Sequence, residues 1–325
     1  MRAAGEIGAK TAPRSRVEAS PFKSDTPSVI ARRSLPYALI APATIVILGV
    51  LGWPLLQLLY LSTQHYGLRQ LFQHQGEFIG LQNYRTILVD PQFLHVLEVT
   101  IAFTAINVGV SMGLAILIAL LMERVSSFVR ILLGAGLVFV WATPVIPAID
   151  LWQWMFDYEF GVMNFLLTKI GAGNYIHHNW FENPWQGFTV IAVVVIWGAI
   201  PFLALTLNAG LTQVPRELVE AAQLDGARGL QVFRHVTLPT LKPLLLVLLS
   251  LSTIWDFQVF NQVWVMLNQR PDEAYFVMSV FSFQESFRVD QFGRGSAIAV
   301  VMVAILMVIS VFYVRQTVRN INEGA

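Results

Sequence analysis

The sequence predicts an all-α polytopic membrane protein with six transmembrane helices. Of its 325 residues, 55% are hydrophobic and 13% are charged, whereas a soluble domain carries roughly 25% charged residues. The mean hydropathy is +0.60. Six separate segments are also long and apolar enough to cross a bilayer. Helices are expected because every backbone polar group in lipid must find its partner within the chain.

Each segment has about 20 mostly apolar residues, the length that roughly 30 Å of hydrocarbon requires. The six predicted spans are Leu39–Leu61, Val99–Leu121, Ile131–Phe156, Phe188–Leu211, Leu244–Leu267 and Ser296–Tyr313. Pro144 and Pro147 should kink the third. The pair Gly109 and Gly113 would let helix backbones approach closely.

The distribution of Lys and Arg predicts the orientation of the chain in the bacterial cytoplasmic membrane. With the N-terminus inside, fifteen of the 21 basic residues fall on the cytoplasmic side, as cytoplasmic loops prefer. Both termini are therefore expected in the cytoplasm. The predicted organisation is a disordered tail over residues 1–34, a transmembrane domain over 35–318 and a second cytoplasmic tail over 319–325.

Composition and short motifs exclude several classes of function. The net charge of +1 argues against a nucleic-acid-binding protein, which would show a basic patch. The absence of cysteine excludes thiolate chemistry. No H-E-x-x-H or Walker A sequence occurs, so we expect a protein that is not an enzyme and holds neither metal nor cofactor.

The loop between the fourth and fifth spans, about residues 212–240, is predicted to form a compact helix–turn–helix. Pro215 suits the first turn of a helix, and Glu220 lies near that positive helix end. Ala221 and Ala222 share one helix face with Leu218. Gly226 permits a sharp turn, and a second short amphipathic stretch carries Leu230 and Phe233. From the residues alone, this loop could pack on its own bundle or dock a cytoplasmic partner.

The fifth span is unusually polar for a membrane segment. It contains Ser252, Thr253, Trp255, Asp256, Gln258, Asn261 and Gln262. Polar groups inside a bilayer are costly and often mark a solute pathway. Planar polar side chains beside an aromatic ring are also typical of sugar recognition. The alternative is that Asp256 and Gln258 only satisfy neighbouring helices.

The loop carries a pattern that resembles the EAA motif of ABC importer permeases. Its elements are Glu220-Ala221-Ala222, then Gly226 after three intervening residues, and Val236-Thr237-Leu238-Pro239 after nine more. Val236 stands where the family usually has Ile. Residues 35–318 as a whole resemble the sugar-type permeases related to the larger membrane subunit of the maltose transporter. Three further stretches carry this likeness: 78–84, 197–202 and 255–260.

The resemblance implies a type I ABC importer (MetI-like) permease core and a role for the loop. The loop would be a coupling helix seated in a cytoplasmic ATPase, with Glu220 pairing with a basic residue there. The residues assigned to this contact are Glu220, Ala221, Ala222, Asp225, Gly226, Leu230 and Phe233. The implied partners are a second permease, a dimeric ATPase that holds ATP and Mg, an extracellular solute-binding protein, a sugar and the lipid bilayer.

The resemblance also implies a substrate pathway on the two spans that flank the loop. By position in the shared motifs it includes Val195, Gly198, Ala199 and Phe202, then Ser252, Trp255, Asp256 and Val259. Gln258 and Asn261 are added from the polarity of the fifth span. Val195, Asp256 and Val259 stand where the maltose permease has asparagine, and Gln269-Arg270-Pro271 replaces a Gly-Gly-Pro stretch. These departures argue against maltose itself as the solute.

Two other classes of function remain to be weighed against an importer subunit. A stand-alone secondary transporter or channel would more often show internal repeats, and residues 35–160 do not visibly repeat in 185–318. A membrane-embedded enzyme would show clustered catalytic residues at one membrane face. The EAA-like loop is the feature that favours an importer subunit over both.

Overall fold

The long helices begin where the sequence supplies a side-chain cap followed by proline. In the computed structural model, which describes residues 29–323, Asp90 accepts a hydrogen bond from the Gln92 amide at 2.9 Å and Pro91 is the first helical residue. Asn183 and Pro184 repeat this arrangement 93 residues later, with the Trp185 amide 2.9 Å from the Asn183 side chain. Proline is favoured at this position because the first amides of a helix have no helical partner.

The described residues form helices with one small β-hairpin. The helices are α1 (Val29–Ile47), α2 (Trp53–Ser62), α3 (Leu68–Gln73), α4 (Gln82–Leu88), α5 (Pro91–Arg124), α6 (Ser127–Ala142), α7 (Val145–Met155), α8 (Val162–Lys169), α9 (Pro184–Leu211), α10 (Arg216–Leu224), α11 (Gly229–Val232), α12 (Leu238–Phe257), α13 (Asn261–Met266), α14 (Met278–Phe287) and α15 (Phe292–Glu323). Strands β1 (Gln64–His65) and β2 (Glu77–Phe78) pair antiparallel, with Gln64 opposite Phe78. Single π-helical turns lie at Leu48–Gly52 and Phe233–Thr237, and a 3-10 turn lies at Glu273–Tyr275.

The predicted six spans are confirmed if one bent helix pair is counted as a span. Five helical segments between residues 29 and 323 are long and apolar enough to cross a membrane. They are Leu39–Ser62, Pro91–Arg124, Pro184–Leu211, Gly229–Met266 and Phe292–Arg319. The sixth is the pair α6 and α7.

The third predicted span is broken, more sharply than a kink. The axes of α6 and α7 differ by 99°. Thr143 is extended, with φ −69° and ψ 127°, because the ring of Pro144 disfavours helical geometry in the residue before it. Pro147 lies in the first turn of α7, where a missing amide proton costs nothing.

The fifth span also differs from the expected continuous helix. Its helical run starts earlier than predicted, at Gly229, and α12 ends at Phe257 while α13 begins at Asn261. No proline or glycine lies at this break. The Ser279 hydroxyl donates a hydrogen bond to the Val259 carbonyl. This bond gives the carbonyl a partner at a position where the helix is interrupted.

The chain divides into two units, residues 1–54 and 55–325. In the first, α1 begins at Val29, inside the segment expected to be a tail, and the tail prediction for residues 1–28 lies outside the described residues. Apolar side chains of the first unit are strongly exposed, including Leu39 and Leu48 at 72% and 65%. At the other end of the chain, α15 continues to Glu323, and its part that is long and apolar enough to cross a membrane ends at Arg319.

The second unit has two hydrophobic clusters, and α5 and α9 contribute to both. One gathers side chains around Phe93, Ile191 and Phe281. The other joins α5, α9 and α12 through residues such as Ala115 and Leu207. A side chain built at Gly109 or Gly113 meets no other atom within 4 Å, so the close helix approach expected there is not made within this chain.

Candidate functional site

A cavity of about 420 Å³ opens between the bent third span, α9 and the break in the fifth span. Both breaks in the helices therefore border the same space. The residues that line it are Val140, Trp141, Thr143, Val145, Ala148, Ile149, Val194, Val195, Trp197, Gly198, Ala199, Phe202, Trp255, Asp256, Gln258, Val259, Phe260, Asn261 and Gln262. Cavities of this size, mostly apolar with a few polar groups, are typical of small-molecule sites.

The structure brings nine of the ten predicted pathway residues together at this cavity. They are Val195, Gly198, Ala199, Phe202, Trp255, Asp256, Gln258, Val259 and Asn261. Ser252 is the exception: it is 1% exposed and does not line the cavity. It lies one helical turn before Asp256, on a stretch of α12 that packs into the protein interior.

Three aromatic rings in contact with one another, those of Trp141, Phe202 and Trp255, form a wall along the cavity. The ring centroids of Phe202 and Trp255 are 5.2 Å apart, and the rings meet edge to face. Trp141 stacks on Phe202, with centroids 6.4 Å apart. Trp197 meets Trp152 at 5.8 Å. Such rings offer flat apolar surface for the C–H faces of a sugar and a negative π-face for a cation.

Asp256 is the charged residue among the described residues that line the cavity. It is 5% exposed, and its Oδ2 atom has no hydrogen-bond partner among residues 29–323. Buried polar atoms are nearly always paired. Among the described residues, no contact of the Asp256 Oδ2 atom supports the alternative that Asp256 only satisfies a neighbouring helix.

Sequence reasoning missed the contribution of the third span and a polar row on α5. Trp141 and Thr143 line the cavity because the chain turns by 99° after Ala142. No local sequence pattern predicts that angle. The buried row on α5 is Thr100, Thr104, Asn107 and Ser111. Its spacing of three or four residues is a signal that could have revealed it.

The loop between α9 and α12 has the predicted helix–turn–helix form. α10 ends at Leu224, and Gly226 follows with φ +84°, a left-handed conformation that favours glycine. Leu224 and Leu230 are 88% and 78% exposed. These two side chains are therefore not covered by the chain's own helix bundle.

Part of this loop borders a second cavity, of about 820 Å³. Glu220, Leu230 and Phe233 line it together with the basic side chains of Arg124 and Arg130. Ala221, Ala222, Asp225 and Gly226 are not among its lining residues. Arg130 also donates to the Met122 carbonyl at 2.7 Å, which joins the end of α5 to α6.

An ion group ties the start of α5 to α14 and α15. Arg294 pairs with Asp90, and its Nε atom lies 3.0 Å from Glu285 Oε2. Burial raises the pKa of Glu285 above its ordinary value, Arg294 opposes that rise, and Asp90 adds to it.

Burial, helped by Asp272, likewise raises the pKa of Tyr275 to about 12. The Tyr275 hydroxyl donates to the Phe181 carbonyl at 2.9 Å.

The described residues contain no group of three or more His, Cys, Asp or Glu side chains that could hold a metal ion. His178, which the sequence places next to His177, instead bonds Gln186 through its ring at 2.9 Å. It also meets the Trp180 ring, with centroids 4.9 Å apart.

Comparison with known proteins gives a consistent result. The family model described as the binding-protein-dependent transport system inner membrane component matches residues 95–321, the part of the chain after the first span. The diacetylchitobiose uptake system permease protein DasB of Streptomyces coelicolor is 38% identical over 280 residues, which cover 86% of this chain and 85% of that protein. The trehalose/maltose transport system permease protein MalF of Thermococcus litoralis is 30% identical, with 86% and 92% covered.

A solved structure shares the fold. A chain of a bacterial ABC transporter involved in the import of the acidic polysaccharide alginate superposes with a TM-score of 0.74 at 21% identity. The match covers 89% of this chain and 97% of that one. The family resemblance and the permease fold predicted from the sequence are thereby confirmed. The chain belongs to the family of binding-protein-dependent transport system inner membrane components and is a membrane-spanning permease of an ABC importer.

Proposed function

We propose that this chain is one of two permease subunits of an ATP-driven importer and that a sugar crosses the membrane through the 420 Å³ cavity. The observation that carries the proposal is the cavity itself. It combines aromatic rings with the planar polar side chains of Asp256, Gln258 and Asn261, at two breaks in membrane-spanning helices. Broken helices at a central site are a recurrent feature of membrane transporters. The carbohydrate names of the relatives support a sugar as the solute.

In this proposal the exposed loop transmits the work of ATP hydrolysis. α10 and the turn at Gly226 would sit in a cleft of a cytoplasmic ATPase, whose two halves bind ATP and Mg. The exposed Leu224 and Leu230 offer the apolar contact area. Closure of the ATPase halves would then move the attached helices between inward-facing and outward-facing states, as rigid-body switches do. This chain itself would hold no cofactor.

The remaining partners follow from the same proposal. A second permease would complete the pathway, and an extracellular binding protein would deliver the solute. The exposed apolar side chains of the first span support a contact with lipid or with the second permease. Both termini would lie in the cytoplasm, which the excess of Lys and Arg on that side supports.

Purification from membranes through a tag on this chain tests the proposal. We expect an ATPase and a second permease to co-purify in mild detergent. Glu220→Ala should lower the recovered ATPase several-fold, because it removes the charge that would pair with a basic residue in the cleft. Glu217→Ala is the matched control, one turn earlier on the same exposed helix, and should retain the ATPase. Equal recovery with both variants would contradict the role of Glu220.

A further inference from the structure

The carboxylate of Asp256 is placed against the cavity without a partner of opposite charge. It lies on α12 one residue before the helix ends at Phe257, and it is 5% exposed. Its Oδ2 atom has no hydrogen-bond partner among the described residues. An ionised group in this situation is costly unless a ligand or another group pairs with it.

The surroundings make this corner of the cavity more negative still. The last carbonyls of a helix carry a partial negative charge, and a carboxylate in the final turn adds to it. Its neighbours Gln258, Asn261 and Gln262 are neutral. None of the described residues that line the cavity is Lys, Arg or His. The site is therefore suited to a positive group and unfavourable for an anion.

The aromatic wall indicates what kind of positive group fits. Trp255 adjoins Asp256 in the chain, and its ring meets Phe202 at 5.2 Å. Aromatic faces attract organic cations and cover the C–H faces of sugar rings. A bare metal ion would instead need several oxygen ligands, and the described residues contain no cluster of acidic side chains that could provide them.

We infer that the cavity selects a solute that carries a protonated amino group, such as an amino sugar with a free amine, and that Asp256 pairs with its ammonium. The inference rests on the proposed function, since it names the class of sugar that would use the proposed pathway. Asp256 acts as the specificity-determining residue. It favours ammonium over hydroxyl or acetamido groups at the same position and disfavours sugar acids.

Three disaccharides that differ mainly at the C2 substituents test the inference. They are chitobiose with free amines, N,N′-diacetylchitobiose and cellobiose. Their binding to the purified complex, without the external binding protein, is followed by tryptophan fluorescence at a pH that keeps the amines protonated. We expect chitobiose to bind about tenfold more tightly than the other two, as charge-assisted hydrogen bonds allow.

Three variants test whether the preference for chitobiose depends on the carboxylate of Asp256. Asp256→Asn should bring the three affinities within about twofold of each other, the spread expected of uncharged contacts in one cavity. Asp256→Glu should keep the preference, and this variant separates loss of charge from loss of folding. Glu285→Gln removes a carboxylate outside the cavity and should also keep it.

Several results would overturn the inference. The first is equal binding of the three sugars by the native complex, and the second is a preference that persists in Asp256→Asn. The third is a loss of binding, equal for all three sugars, when potassium replaces sodium in the buffer. The last would make Asp256 part of a metal-ion site. ATP-driven uptake by the same complex is measured in parallel. Intact uptake without an amine preference would reject this inference and leave the proposed function standing.

Discussion

Single residues in the exposed loop and in the cavity determine how the proposed importer would work. Gly226 has φ +84°, and a methyl group there would meet no other atom within 4 Å. The cost of a side chain at this position is therefore conformational rather than steric. A methyl group at Gly229 would likewise meet no other atom within 4 Å. The backbone of Gly229, however, is not in the left-handed conformation.

This contrast gives a matched pair of substitutions. Gly226→Ala should destabilise the turn by about 1–2 kcal/mol, the penalty of left-handed geometry for an L-residue. We expect faster proteolysis of the loop and weaker coupling of ATP hydrolysis to uptake. Gly229→Ala adds the same methyl group and should change neither. Equal behaviour of the two variants would show that the conformation of Gly226 is unimportant.

Trp255 provides a second test at the scale of the residue. Trp255→Ala should lower solute binding about tenfold, because it removes one face of the aromatic wall beside Asp256. Assembly should survive, since 45% of this side chain is exposed. Trp154, which is 54% exposed and does not line the cavity, is the control. Loss of assembly with Trp255→Ala would instead indicate a packing role.

The helices and their breaks show how far the sequence could predict this molecule. Uninterrupted apolar runs locate α5 and α9 because lipid imposes a minimum length on any span. Proline predicts a bend near residue 144 but not its angle of 99°. The break after Phe257 has no Pro or Gly to signal it, and its bond from Ser279 joins residues twenty positions apart.

The candidate site was predictable to a similar degree. The fifth-span residues are visible as polar side chains in an apolar run, and the fourth-span residues came from family resemblance. Trp141 and Thr143 depend on a tertiary bend, so no local pattern indicates them. The unpaired state of Asp256 also depends on what the other helices place around it.

The ion group that joins α5, α14 and α15 yields a prediction for pH. Because the pKa of Glu285 is raised in the folded protein, the folded chain binds more protons than the unfolded chain between the ordinary and the raised value. Stability should therefore fall as pH rises through that window. Thermal unfolding in detergent measures it, and Glu285→Gln should show a flatter pH dependence.

Arg294 supplies the converse test of the same group. Arg294→Gln leaves Asp90 and Glu285 without their shared cation, so the unfolding temperature should drop and the fall with pH should steepen. Arg288→Gln removes an exposed arginine that donates to the Gln269 carbonyl and serves as the control. A pH dependence that is identical in the native chain, Glu285→Gln and Arg294→Gln would contradict the assignment.

At the scale of the whole molecule, family membership and the proposed mechanism address different questions. The family match over residues 95–321 and a relative that is 38% identical establish a permease of an ABC importer. The solute is inferred from the cavity, and the route of energy transfer is inferred from the loop. We propose that these two sites are linked directly, because α9 and α12, which flank the loop, also border the cavity.

ATP-driven uptake by the purified complex in vesicles tests that central claim most directly. A radiolabelled amino disaccharide is supplied outside with the binding protein, and ATP is enclosed with the ATPase. We expect accumulation that requires ATP and is lost when Gly198→Leu fills the cavity, where a side chain would meet open space. Uptake that proceeds without ATP, or that Gly198→Leu leaves unchanged, would contradict the account.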